Sequence, residues 1–179
     1  ERYYPEHNIE LELNTRVESI DRENKSVALS SGKQLDYDWL VLTTGSRVRK
    51  APIPGSELAN VHYLRNITDV EAIRSGLTPG SNLVIVGAGY IGLEVAAIAK
   101  KGGLNVTVLE MAERPLQRAV APELSDFYTK LHTDAGVDLR CNVRIESFSG
   151  STAVTGVNLK GAAPLPADIV IIGIGILPN

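Results

Sequence analysis

Apolar and polar residues alternate through residues 9–43, and turn residues punctuate the alternation, a pattern that predicts short antiparallel strands. The expected strands are Ile9–Leu13, Arg16–Asp21 and Ser26–Leu29, with a hairpin turn at Ser31-Gly32-Lys33. Trp39-Leu40-Val41-Leu42 is continuously apolar, as in a strand buried on both faces, and is expected inside a covered sheet. The basic, proline-rich run Arg47–Gly55 suits an exposed connection. Thr68, with Glu71 three places on, predicts a capped short helix, which puts a domain boundary near residue 66.

The pattern then changes. Leu83-Val84-Ile85-Val86 reads as a buried strand, Leu93–Lys101 as a helix stopped by Gly102-Gly103, and Asn105–Leu109 as a second strand ending at Glu110. In Pro122–Ala135 the spacing of Leu124, Phe127, Tyr128 and Leu131 predicts a helix buried on that face and stopped by Gly136. Val137–Cys141 is the expected third parallel strand, and residues 145–165 suggest an antiparallel meander. Residues 168–175 form a last buried strand that closes on Gly173 and Gly175. The fold class is therefore α/β: a parallel sheet with helices and a β-meander over residues 67–179, preceded in residues 1–66 by antiparallel strands of a partial second domain.

The junction of the first strand and helix carries the chemistry. Gly87-Ala88-Gly89-Tyr90-Ile91-Gly92 is GxGxxG after a strand, in a βαβ unit of about 30 residues with an acid about 20 positions on. Gly87 permits the tight turn, Gly89 lets the backbone approach a pyrophosphate, and Gly92 lets the helix pack on the sheet. The pyrophosphate would meet the free amides of the helix that begins near Tyr90 and Ile91. Glu110 would accept hydrogen bonds from the adenosine ribose and repel a 2'-phosphate, so NADH is favoured over NADPH. Arg114 and Arg118 lie just downstream, and either could turn inward to a phosphate; Arg118 is kept as a nucleotide-site candidate. Gly173 and Gly175, at the carboxyl end of a parallel strand, mark a close backbone approach to the same ligand.

Composition narrows the reading. In 179 residues, 44% are hydrophobic and 22% charged, which predicts a packed core, and a net charge of -3 offers no basic footprint for nucleic acid. No apolar run has the roughly 18 residues needed to span a bilayer. Cys141 is the one cysteine, so neither an internal disulfide nor a CxxC redox pair can form, and a reducing cytoplasm is compatible with that count. His7, His62 and His132 lack metal-ligand spacing, and no metal site is expected. Because the sequence opens at Glu1 and breaks off just after a buried strand, it is expected to be a piece of a longer protein.

Four ordered segments, residues 37–46, Val61-His62-Tyr63-Leu64-Arg65, Gly87–Glu94 and Ala167–Asn179, make the chain resemble the FAD-dependent pyridine nucleotide-disulfide oxidoreductases. Within that superfamily it resembles the ferredoxin and rubredoxin (putidaredoxin) reductase branch. The resemblance implies an FAD/NAD(P)-binding fold in which a Rossmann-like NAD domain is inserted into an FAD domain, with Val17, Thr44, Gly45 and Arg65 on the FAD side. It also implies that Tyr90 covers the flavin until nicotinamide displaces it and that Glu94 lies near the nicotinamide; an acid in a first helical turn also simply complements the helix dipole. The implied parent is an enzyme passing hydride from NADH to FAD, then electrons to a ferredoxin- or rubredoxin-type acceptor. Two alternatives stay open: a disulfide reductase of the same superfamily, and a NAD-binding redox-responsive module of apoptosis-inducing-factor type. The glycine-rich motif that would hold the FAD pyrophosphate and the Gly-Asp segment that closes over FAD are both missing, so this chain alone should retain flavin poorly. Residues 67–177 are expected to fold independently, and unpaired strand edges before residue 50 could drive homodimerisation.

Overall fold

The computed structural model describes residues 3–179. The chain divides into two compact units, Glu1–Thr44 and Gly45–Asn179. The first unit has a one-turn helix α1 (Tyr3–Glu6) and a three-stranded antiparallel sheet of β1 (Val17–Asp21), β2 (Ser26–Leu29) and β3 (Gln34–Asp36). Asp21 shapes the β1–β2 turn, its carboxylate accepting the backbone N–H groups of Glu23 and Asn24 at 3.0 and 2.9 Å.

Two expectations fail in this unit. Residues 9–13 form no strand, and Leu13 is exposed. Trp39–Leu42 is also irregular, with Trp39 91% exposed and Val41 78% exposed. A strand buried on both faces needs hydrogen-bonded neighbours and two covering layers. Among the described residues no strand pairs with either segment.

The second unit is built on a five-stranded parallel sheet. Its elements are β4 (Ser46–Val48), β5 (Val61–Tyr63), α2 (Ile67–Arg74), β6 (Asn82–Val86), α3 (Tyr90–Lys101), β7 (Asn105–Leu109), α4 (Pro122–Asp134), β8 (Asp138–Arg140), β9 (Ile145–Ser149), β10 (Gly156–Leu159), β11 (Leu165–Pro166), β12 (Ile169–Ile172) and β13 (Ile176–Pro178). The parallel sheet runs β5-β12-β6-β7-β8, and β9, β10 and β11 form the expected meander. Successive side chains of a strand point to opposite faces, which explains why β6 and β12 are apolar throughout. Leu83, Ile85, Ile169 and Ile171 pack in one buried cluster with Leu93, Ala96 and Ala99 of α3. Val84, Val86, Val170 and Ile172 pack in the other with Phe148, Val157 and Leu159 of the meander. The result is three layers: helices, parallel sheet, meander.

Three local expectations are corrected here. The capping box belongs to Asn66 and Asp69 rather than Thr68 and Glu71. Asp69 wins because its Oδ2 also accepts the Arg65 N–H at 2.8 Å, holding the chain that enters α2. The Arg47–Gly55 segment is not wholly an exposed connection: it carries β4, paired antiparallel with β13, and Ala51 is buried, with its N–H donated to the Tyr63 hydroxyl at 2.9 Å. In α4 the expected inner face is turned outward, since Leu124, Phe127 and Leu131 are about half exposed whereas Ser125 and His132 are buried. Tyr128 keeps its expected place, partly buried against the core, and Ser125 and His132 complete the inner face, so the buried face is rotated about the helix axis from the expected one. Bonds made by Ser125, described below, set that rotation.

β5 is hydrogen-bonded to β12, so the strand before residue 66 is continuous with the parallel sheet, and the compact units part at Thr44 and Gly45. No helix among the described residues is long and apolar enough to cross a membrane.

Burial holds the His132 imidazole below its ordinary value of 6.5. Its folded-state affinity for protons is thus lower than in the unfolded chain, and stability rises with pH across the window just below 6.5. Stability from this group should be complete above pH 6.5 and decline as the pH falls toward the depressed folded value. Urea unfolding at pH 7.5 and 5.5 is expected to show that loss, and His132→Gln should reduce the difference between the two.

Candidate functional site

The site forms where the strand order reverses. From β6 the chain moves outward through α3 to β7 and through α4 to β8, and it later returns on the other side of β6 as β12. The crevice at the carboxyl ends of β6 and β12 is the ligand-binding point of an open parallel sheet. Gly173 N–H donates to the Val86 carbonyl at 2.8 Å, closing the base of that crevice, and Gly87 N–H donates to the Leu109 carbonyl at 2.8 Å.

The three motif glycines answer to different constraints. Gly87 has φ +104°, and a Cβ there would stand 2.5 Å from the Gly173 carbonyl oxygen. At Gly92 a Cβ would stand 2.1 Å from the Gly87 carbonyl oxygen, so α3 can approach the turn only without a side chain. Gly89 is different, because a Cβ there would meet nothing within 4 Å and its φ is -81°. The fold does not require glycine at that position. Gly173 is similarly unforced, with the Val86 carbonyl at 3.8 Å and the Gly92 nitrogen at 3.9 Å from an added Cβ. Gly175 has φ +110° and open space around it. Gly89 begins α3, and Leu93 N–H makes the first turn's bond to its carbonyl at 3.0 Å. The amides of Tyr90, Ile91 and Gly92 precede that bond and point out of the helix's positive end.

Glu110 closes the other side. Its Oε2 accepts the Ala88 N–H at 2.7 Å, and its Oε1 accepts the Ala112 N–H at 2.8 Å. A carboxylate has about four acceptor positions, so roughly two remain open to further donors. Arg114 does turn inward, but toward its own loop: Nη1 donates to the Val120 carbonyl at 3.0 Å and to Ser125 Oγ, and Nη2 donates to the Gln117 carbonyl at 3.3 Å. Arg118 is exposed. Cys141, just past β8, is half-buried; burial first, then the negative charge of Glu110, raises its thiol above the ordinary 9.0. Both effects favour the thiol over the nucleophilic thiolate.

Tyr90 and Glu94 are exposed on one face of α3, at the lining of a groove of about 580 Å³ that also touches Leu93, Leu116, Tyr128 and Leu131. Of the FAD-side candidates, Arg65 and Gly45 come together: the Arg65 guanidinium lies 3.8 Å from a Cβ placed on Gly45, and its Nε donates to the Ser46 carbonyl at 2.9 Å. Val17 and Thr44 belong to the other unit. Residues 111–121 contribute more than sequence reasoning assigned to them, since Leu116 N–H donates to the Ala88 carbonyl at 2.9 Å. The one available signal was Ser125, a polar residue in the middle of an amphipathic pattern.

A Rossmann-like α/β fold with a glycine-rich turn, a helix amino terminus and a strand-end acid at its switch point defines a dinucleotide-binding protein. The chain belongs to the pyridine nucleotide-disulphide oxidoreductase family, whose pattern matches residues 3–179. It is 46% identical over 182 residues to putidaredoxin reductase CamA of Pseudomonas putida, covering 98% of this chain and 43% of the relative. Identity to rhodocoxin reductase of Rhodococcus erythropolis is 39% over 179 residues, covering 99% and 42%. Among solved structures, the ferredoxin reductase for the CYP199A2 system from Rhodopseudomonas palustris superposes with a TM-score of 0.87 at 39% identity, covering 100% of this chain and 44% of that one. The covalent putidaredoxin reductase–putidaredoxin complex gives 0.85 at 45%, covering 99% and 44%. The chain thus spans less than half the length of these relatives.

Proposed function

We propose that this chain is the NAD-binding portion of an NADH-dependent flavin oxidoreductase whose electrons leave to a ferredoxin- or rubredoxin-type acceptor. The observation that carries the reading is Gly89, a glycine the fold does not need, at the start of α3 and one residue from the Ala88 amide that Glu110 accepts. Absence of a side chain there serves a ligand's approach, and the amides of Tyr90, Ile91 and Gly92 suit a pyrophosphate. Gly173 and Gly175 would admit the ligand at the end of β12, Glu110 would hold the adenosine ribose, and exposed Arg118 would lie beside the same end. Tyr90 and Glu94 would address the nicotinamide end. Gly45 and Arg65 in one unit, and Val17 and Thr44 in the other, would serve the FAD side. Bound together, the cofactors supply the chemistry, hydride passing from nicotinamide to flavin. This chain's part is to bind and orient the nucleotide, and orientation supplies much of such a rate.

The names of the relatives support the acceptor class, since putidaredoxin and rhodocoxin reductases and a rubredoxin-NAD(+) reductase all share this region. The proposed division near residue 66 separates the FAD-side residues from an NAD-binding portion over residues 67–177, whose parallel sheet also takes in β5 from before that division, and the proposed compartment is the cytoplasm. Calorimetric titration of the 179-residue chain with NADH and NADPH tests the reading. Saturable NADH binding tighter than NADPH binding is expected; a folded chain that bound neither would overturn it.

A further inference from the structure

We infer that Arg114 and Ser125 form a clasp that positions the nucleotide-binding turn, and that Arg114 is a positioning residue and not a phosphate ligand. The inference deepens the nucleotide reading above and rests on it.

The clasp starts from a strained residue. Leu116 is buried and has φ +55°, a left-handed conformation that a leucine adopts only where its surroundings impose it. The surroundings here are hydrogen bonds to both sides of it. Arg114 Nη1 donates to the Val120 carbonyl at 3.0 Å and to Ser125 Oγ at 2.6 Å, while Nη2 donates to the Gln117 carbonyl at 3.3 Å. Ser125 is fully buried and donates its own proton to the Pro115 carbonyl at 2.7 Å. One guanidinium and one hydroxyl thus hold residues 115, 117 and 120, and Leu116 lies among them.

The consequence reaches the site through a single residue. Leu116 N–H donates to the Ala88 carbonyl at 2.9 Å, and Ala88 N–H donates to Glu110 Oε2 at 2.7 Å. Ala88 is therefore held at one atom by the strained loop and at the other by the ribose-binding acid, between Gly87 and Gly89. Releasing the clasp lets Leu116 relax out of the left-handed region, withdraws its N–H from Ala88, and loosens the turn and Glu110 together. The Arg114 guanidinium bonds Val120 and Gln117 of its own loop and Ser125 of α4, so it is committed away from the ligand.

The test uses the 179-residue chain with Ser125→Ala, Arg114→Lys and the double variant, titrated with NADH, NADPH and ADP-ribose. Each single variant should weaken NADH and ADP-ribose by about tenfold, and the double variant should be no weaker than either single one, because both break one unit. NADPH should not be selectively affected. Hydrogen exchange of the unliganded variants supplies a readout that general destabilisation would not mimic: the Leu116 and Ala88 amides should exchange faster while those of β6 and β12 keep their protection. The clasp is refuted if both single variants bind NADH as the original does, if their effects add, or if Arg114→Lys weakens NADPH alone, which would make Arg114 a phosphate ligand. Failure of the original chain to bind NADH would instead overturn the nucleotide reading. In that case unchanged exchange at Leu116 and Ala88 in Ser125→Ala would still refute the clasp.

Discussion

Replacing Glu110 with alanine is expected to weaken NADH binding by roughly ten- to a hundredfold and to abolish the preference over NADPH. The expectation follows from how the carboxylate is spent. Each oxygen already accepts one backbone amide, from Ala88 and Ala112, which fixes the plane of the group without exhausting its acceptors. The remaining acceptor positions are pre-aimed, and hydrogen bonds to a charged acceptor are worth about 1.5–3 kcal/mol each. The same charge repels a 2'-phosphate, so its removal costs NADH and relieves NADPH. Arg114, tied to Val120, Gln117 and Ser125, is not free to compensate, which leaves exposed Arg118 as the nearby cation in this loop.

Glu110→Gln separates charge from geometry. A carboxamide keeps the size, yet its NH2 must face one of the two backbone donors, leaving that amide without an acceptor at a cost of about 1–3 kcal/mol. The glutamine variant should therefore lose stability in urea unfolding as well as NADH affinity. If it retained full NADH affinity and full preference, the proposed role of Glu110 would be wrong.

What the sequence made legible was what neighbours along the chain decide. The β6–α3–β7 unit is local: strand, turn, helix and strand follow within one stretch, and the burial of Leu83 to Val86 agrees with their unbroken apolarity. What it concealed was decided at a distance. Trp39–Leu42 has the composition of a covered strand, but burial requires partners that composition cannot supply. In α4 the helical period was readable and its phase was not, because the Arg114 guanidinium and Pro115 carbonyl capture Ser125 from outside the helix. Near residue 66 the spacing pointed to Thr68 and Glu71, and the cap fell instead to Asn66 and Asp69 through a bond to Arg65 that no local pattern shows. The glycine-rich turn was found from its spacing, while the strained Leu116 supporting it left no signature, since leucine is a poor guess for a left-handed backbone.

Alanine substitution at Gly89 and at Gly92 should separate the ligand's requirement from the fold's. At Gly92 the new methyl would be driven against the Gly87 carbonyl oxygen, a backbone atom that cannot swing aside, with Ile85 Cγ2 at 3.4 Å behind it. The helix must then lift from the sheet, so Gly92→Ala is expected to lose roughly 1–3 kcal/mol of stability and its nucleotide binding with it. At Gly89 the methyl enters open space on a backbone that any residue can adopt. The poorer helix-capping tendency of alanine and its lower unfolded-state entropy oppose each other, so Gly89→Ala should unfold within about 1 kcal/mol of the original chain. NADH affinity should nevertheless fall by more than about tenfold, because the methyl occupies the approach of the pyrophosphate to the Tyr90, Ile91 and Gly92 amides. A Gly89→Ala variant that was stable and bound NADH normally would mean that no nucleotide passes over this turn; one that was stable and had lost binding would locate the ligand within a methyl group's width of Gly89.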